Sequence, residues 1–113
     1  MASPKPRLRE LFTRRLRQLR LAAGLSQREL GRRIGLLEEV VSSRVTRYEL
    51  GTSEPDFETA AKLARELGVP LAYLLADDET LAEIILAVSK LPAAEQRKLV
   101  AELKARAAAK PAN

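Results

Sequence analysis

The stretch Leu25 to Gly51, LSQRELGRRIGLLEEVVSSRVTRYELG, constrains the chain more than any other, because its start and stop signals confine two helices to a short span. Ser26 can cap a helix by accepting from the backbone N–H three residues on, Glu29 can return a bond to Ser26, and Leu25 can clasp Leu30 across the cap. The first helix therefore starts at Gln27. Leu30 and Ile34 fall one turn apart on its inner face and Gly35 supplies a terminating residue, so this helix lasts about two turns. After a turn, a second helix ends at Gly51. Val41, Val45 and Tyr48 share one face of it, which leaves Ser42, Ser43, Thr46 and Arg47 largely on the other. Short hydroxyls and a guanidinium suit a helix lying against base edges in a major groove. They equally suit an ordinary solvated face, and periodicity does not choose between the two.

Composition removes most other chemistries. The chain holds no Cys and no His, which excludes disulfides, thiol nucleophiles, imidazole bases and the usual zinc sites together. No carboxylates pair convincingly, and Asp77-Asp78-Glu79 reads as the acidic start of a helix. No catalytic residue, metal or cofactor is expected, and the chain does not read as an enzyme. With 113 residues, 46% of them apolar and 31% charged, it reads as one soluble domain. Its apolar runs are too short to span a bilayer and no signal-like segment opens it, so a cytoplasmic protein with no membrane partner is expected.

Charge is unevenly placed. Residues 1–50 hold twelve Lys and Arg against five Asp and Glu, whereas residues 51–113 hold eight against ten. A basic half around a groove-sized helix points to a phosphate backbone as partner. With two Phe, two Tyr and no Trp, and with Phe12, Tyr48, Phe57 and Tyr73 at core-like spacings, the chain lacks a stacking platform for single strands.

Along the chain, residues 1–6 are expected to be a disordered arm, and Lys5, Arg7 and Arg9 could reach an adjacent groove or the phosphates. Leu8, Leu11, Phe12, Leu16, Leu19 and Ala23 mark one stripe of a first helix over residues 7–23, with Arg14, Arg17 and Gln18 off it. Asp56 caps a later helix striped by Phe57, Ala60, Ala61, Leu63, Ala64 and Leu67, and a short helix covers Leu71 to Leu75. Leu81, Ile84, Ile85 and Val88 then form one apolar helix face; Leu91-Pro92 breaks it, and Leu99, Val100 and Leu103 fall on another. Residues 109–113 are expected to fray.

The run A-G-L-S-Q-x-x-L, followed by R-Y-E-x-G and by E-P-D-x-x-T-x-x-K-L-A-x-x-L-G-V, resembles the helix-turn-helix family of phage repressor and Cro proteins from about Leu16 to Leu75. Two departures stand out. Fifteen residues separate Gly35 from Gly51, about four more than the commonest form of the family, so Leu37-Glu38-Glu39-Val40 reads as an extra turn. Gly31 stands where the family usually has alanine, which close packing against the next helix would explain.

The resemblance implies an all-α fold with a five-helix DNA-binding bundle over residues 7–76, and the apolar spacing beyond it adds a C-terminal helical hairpin over residues 77–108. It implies base contacts from Ser42, Ser43 and Arg47, if the added turn lies wholly before Val41, with Thr46 and Arg44 beside them. Phosphate contacts fall to Gln27, Arg28, Arg20, Thr52 and Ser53. Glu49 could pair with an arginine and hold the helix in place. The expected protein is a dimeric repressor reading an inverted repeat in double-stranded DNA, with Leu81, Ile84, Ile85, Val88, Leu99 and Leu103 in the homodimer interface. The alternatives are an antitoxin whose hairpin binds a toxin as protein partner, a hairpin that only completes the monomer core, and an adaptor that never touches DNA.

Overall fold

The computed structural model describes residues 7–109, and the expected arm over residues 1–6 and most of the expected tail lie outside them. Within that span the fold is all-helical: α1 (Leu8–Ala22), α2 (Gln27–Arg33), α3 (Val41–Leu50), α4 (Phe57–Glu66), α5 (Leu71–Leu75), α6 (Glu79–Ser89) and α7 (Ala93–Ala109). The last helix runs on to Ala109. None of these helices is long and apolar enough to cross a membrane.

Three helices start where a side chain accepts an otherwise unpaired backbone N–H. Ser26 accepts from Glu29 N, Asp56 from Thr59 N and Asp78 from Leu81 N, at 3.0, 2.7 and 2.7 Å. The reciprocal bond expected from Glu29 does not form; its carboxylate accepts from Arg33 Nε at 3.3 Å one turn on.

The five leading helices enclose one core. Leu16, Leu30, Val45, Leu63 and Leu74, one from each helix, are fully buried together. α2 and α3 pack closely because residue 31 is glycine. A Cβ there would stand 2.8 Å from Val41 O and 3.1 Å from Val41 Cβ, so only the smallest residue lets the start of α3 approach. The extra turn closes through Val40 N donating to Leu37 O at 3.0 Å, and it lies wholly before Val41. At the other end of α3, Gly51 takes φ 78°, a conformation that costs a residue with a Cβ.

Arg15, which no stripe included, is 2% exposed and ties the halves of the chain. Its Nη1 donates to Tyr73 O and Ala76 O at 3.0 and 2.5 Å, and its Nη2 meets Glu79 at 2.8 Å. The guanidinium carbon lies 5.5 Å from the Tyr73 ring centroid, close enough for cation–π attraction.

Phe57 departs from the expected stripe: it is 81% exposed. As the first residue of α4 it precedes the turn that packs inward, and it lines a shallow groove with Leu8, Phe12, Pro55, Ala60 and Leu75. α6 also sits differently from the simple stripe. Ala82 is buried and Leu86 is packed on the core, while Leu81 and Ile84 face out, about half exposed. No residue of α7 is buried; its Gln96 Nε2 donates to Val88 O at 2.8 Å.

Candidate nucleic-acid interface

α3 is held by its apolar back. Val41, Val45 and Tyr48 are 1%, 0% and 4% exposed, so the opposite face is fixed in orientation relative to the bundle. Ser43 and Arg47 are exposed on that side, and Ser42, Arg44 and Thr46 are partly so. Neither Arg44 nor Arg47 enters an ion pair among the described residues. Their charges are available to an anionic surface. Ser43 Oγ donates back to Val40 O at 3.3 Å, a weak bond that a better acceptor can replace.

Behind this face runs a polar chain linking three helices. Thr46 Oγ1 lies 2.6 Å from Gln27 Oε1 and 2.7 Å from Ser42 O, and its one proton serves one of the two. Gln27 Nε2 donates to Glu49 Oε1 at 3.0 Å. Glu49 then accepts from Arg20, Nε to Oε2 at 2.5 Å and Nη2 to Oε1 at 3.0 Å, and Arg20 Nη1 donates to Leu25 O at 2.9 Å. The Glu49 hydrogen bonds outweigh desolvation and hold the Arg20 pKa above its ordinary value. Glu49 is the arginine-paired brace that its position suggested.

This network corrects the expectation for Arg20. The residue is 8% exposed and all three of its nitrogens are engaged, so it is an internal strut rather than a hand offered to phosphate. The side chain of Gln27 likewise works inward, fixing α2 to α3. Sequence spacing could not reveal the Arg20 pairing, since its partner lies 29 residues away.

Arg28 is exposed but engaged: its Nη1 donates to Glu38 Oε1 at 3.0 Å. Arg32 donates to the same carboxylate, Nη2 to Oε1 at 2.6 Å and Nε to Oε2 at 3.2 Å. The Arg32 hydrogen bonds hold the Glu38 carboxyl below its ordinary pKa, with Arg28 adding to the effect. Thr52 is exposed and Ser53 half-buried in the loop after Gly51, where Thr52 N donates to Arg47 O at 3.1 Å. Arg9 pairs with Glu54 and donates from Nη1 to Gly51 O at 3.0 Å, bracing this loop against α1. Lys5 lies outside the described residues.

Two short helices crossing tightly, the second with a buried back and a polar outer face, form the geometry that residues 16–74 share with the family model described as helix-turn-helix. The chain belongs to that family. Its helix-turn-helix domain is of the Cro and phage-repressor type. It is 40% identical over 70 residues to the cryptic phage CTXphi transcriptional repressor RstR of Vibrio cholerae, a match covering 62% of this chain and 60% of that one. It is 34% identical over 65 residues to the SPbeta prophage-derived uncharacterized HTH-type transcriptional regulator YonR of Bacillus subtilis (strain 168), covering 58% and 56% of the two chains. The match thus spans less than two thirds of either relative.

Solved structures extend the likeness beyond the bundle. The crystal structure of the transcriptional regulator BswR superposes with a TM-score of 0.72 at 37% identity, covering 81% of this chain and 91% of that one. The clp gene regulator ClgR from Corynebacterium glutamicum gives 0.57 at 27% identity, covering 89% and 95%.

Proposed function

We propose that this helix-turn-helix protein is a transcriptional repressor that binds an inverted repeat in double-stranded DNA as a homodimer, placing α3 in the major groove of each half-site. The observation that carries the reading is the outer face of α3, polar and cationic on a helix whose back is locked into the core. Ser42, Ser43, Thr46, Arg44 and Arg47 are the base-contacting set, with arginine able to pair bidentately with guanine. Phosphate contacts come from the N–H groups at the start of α2, from Thr52 and Ser53, and from Arg28 where it leaves Glu38. Repression is inferred from the likeness to RstR, a transcriptional repressor, and occupying a promoter is the simplest way to achieve it.

Dimerisation draws on the uncovered side of α6 and α7. Leu81, Ile84 and Leu103 are each near half exposed, and Ile85, Val88 and Leu99 flank them, partly covered. Pairing two chains through this stripe supplies the two half-sites that helix-turn-helix modules ordinarily use. The same exposed stripe favours a second reading, an antitoxin that docks a toxin there while its helix-turn-helix autoregulates the operon. The mass of the isolated protein separates them, since a stable homodimer burying the stripe counts against the antitoxin.

The test is selection of genomic fragments, followed by titration of wild type and Arg47→Ala on the selected and a scrambled duplex. Arg47→Ala is expected to cost about 1–3 kcal/mol on the selected duplex and to relax preference at one base pair, with little change on the scrambled one. Equal losses on both would remove Arg47 from base reading.

A further inference from the structure

We infer that Glu38 restrains sequence-independent DNA affinity by holding Arg28 and Arg32 away from the phosphate backbone. The inference rests on the major-groove reading above and concerns the extra turn, which the commonest form of the family lacks. Arg28 and Arg32 stand one turn apart on α2, each side chain about half exposed, at 49% and 50%. Both converge on one carboxylate, whose two oxygens take all three bonds. Glu38 belongs to the turn immediately before Val41, and Leu37 beside it is 72% exposed, so the turn projects from the bundle.

A recognition helix enters the groove by its N-terminal end. The turn before α3 therefore faces DNA, where phosphates compete for the same guanidiniums. Two free arginines would add two cations to the contact; clamped on Glu38, the trio carries a single net positive charge. Binding to arbitrary sequence rests almost wholly on such cations, and each one engaged steepens the salt dependence by about one unit. On a specific site the base contacts fix the docking register, which limits how the two arginines can reach phosphate. On arbitrary DNA the chain settles wherever both reach. Removing the clamp thus relieves non-specific binding most, and a regulator competing with a genome of non-specific sites is sensitive to that term.

The experiment measures salt-dependent affinity for the selected and a scrambled duplex with wild type, Glu38→Gln, Glu39→Gln, Arg28→Ala/Arg32→Ala and the triple variant. Glu39 neighbours Glu38 and forms no ion pair among the described residues, so Glu39→Gln matches the change in net charge without opening the clamp. Glu38→Gln is expected to bind scrambled DNA about tenfold more tightly near 0.1 M salt, with a slope steeper by about one to two, and to gain about two- to threefold on the selected duplex. Glu39→Gln should change either by less than about threefold, because it removes one screened carboxylate and frees no arginine. In the Arg28→Ala/Arg32→Ala background Glu38→Gln should change binding no more than Glu39→Gln does in wild type. Glu38→Asp, which keeps the charge but shortens the reach, should fall between wild type and Glu38→Gln. Weaker binding of Glu38→Gln to both duplexes, a gain equalled by Glu39→Gln, or a gain undiminished by loss of both arginines overturns the inference while leaving the DNA-binding reading intact. Wild type that binds no duplex overturns both.

Discussion

At the scale of single residues, the junction of α2 and α3 turns on Gly31. Glycine ordinarily costs a helix roughly 0.5–1 kcal/mol relative to alanine, and here that cost permits close approach. Gly31→Ala is expected to lower stability by about 1–3 kcal/mol despite alanine's better propensity, because the added methyl meets a backbone oxygen that cannot rotate away. Urea denaturation checks it, and an unchanged or raised midpoint would show that α3 shifts freely. The Arg20–Glu49 pair is a second such point, with side chains 10% and 4% exposed. Arg20→Ala should cost about 3 kcal/mol in the same assay, since it leaves a carboxylate in the interior without its cation. A variant as stable as wild type would mean that water reaches Glu49 and replaces the arginine.

The elements are defined chiefly by their ends. Ser26→Ala removes the cap of α2 and should cost about 1 kcal/mol, read as a drop in thermal midpoint. The cap of α4 also titrates. Backbone and side-chain hydrogen bonds from Thr59 hold Asp56 below its ordinary pKa. A carboxylate lowered in the folded state stabilises it above the unfolded pKa, about 3.9, and that contribution disappears as pH falls through the folded value. Asp56→Asn keeps a capping oxygen but no charge. Its stability difference from wild type should therefore be constant at neutral pH and shrink on acidification below about pH 4; a difference independent of pH would show that the charge contributes nothing. The caps and stripes of α2, α4 and the start of α6 were legible because each depends on residues within one turn. Phe57 was misjudged for a related reason: its spacing matches the α4 stripe, but at the first helical position it lies outside the layer that the rest of the stripe buries.

The whole molecule is less compact than its length suggests. Its Cα radius of gyration is 16.9 Å, against about 13 Å for a compact domain near this size, because α7 extends from the bundle with none of its residues buried. A helix with Leu99, Val100 and Leu103 on its surface calls for a second layer. Ile84→Glu and Leu103→Glu are each expected to convert a dimer to a monomer without altering the fold of the bundle, since both side chains are near half exposed in the single chain. Sedimentation together with a thermal melt checks this. A dimer that persists in both variants would move the interface elsewhere.

By itself the sequence determined the parts that local physics governs: where helices begin and end, which face of each is apolar, the polar face of the second helix in the motif, the reason for Gly31, and the basic half of the chain. Tertiary structure alone decided how charged side chains spend their hydrogen bonds. Arg20 and Arg28 look alike in sequence, two arginines of a basic half, yet one is internal and the other exposed on a carboxylate supplied by an added turn. Arg15 reaches the end of α5 and Glu79, 64 residues on, and that contact makes a strut of a side chain that no apolar stripe included. Helix formation depends on neighbours within a turn or two. An ion pair depends on which remote carboxylate the fold brings within reach, and no spacing rule along the chain encodes that.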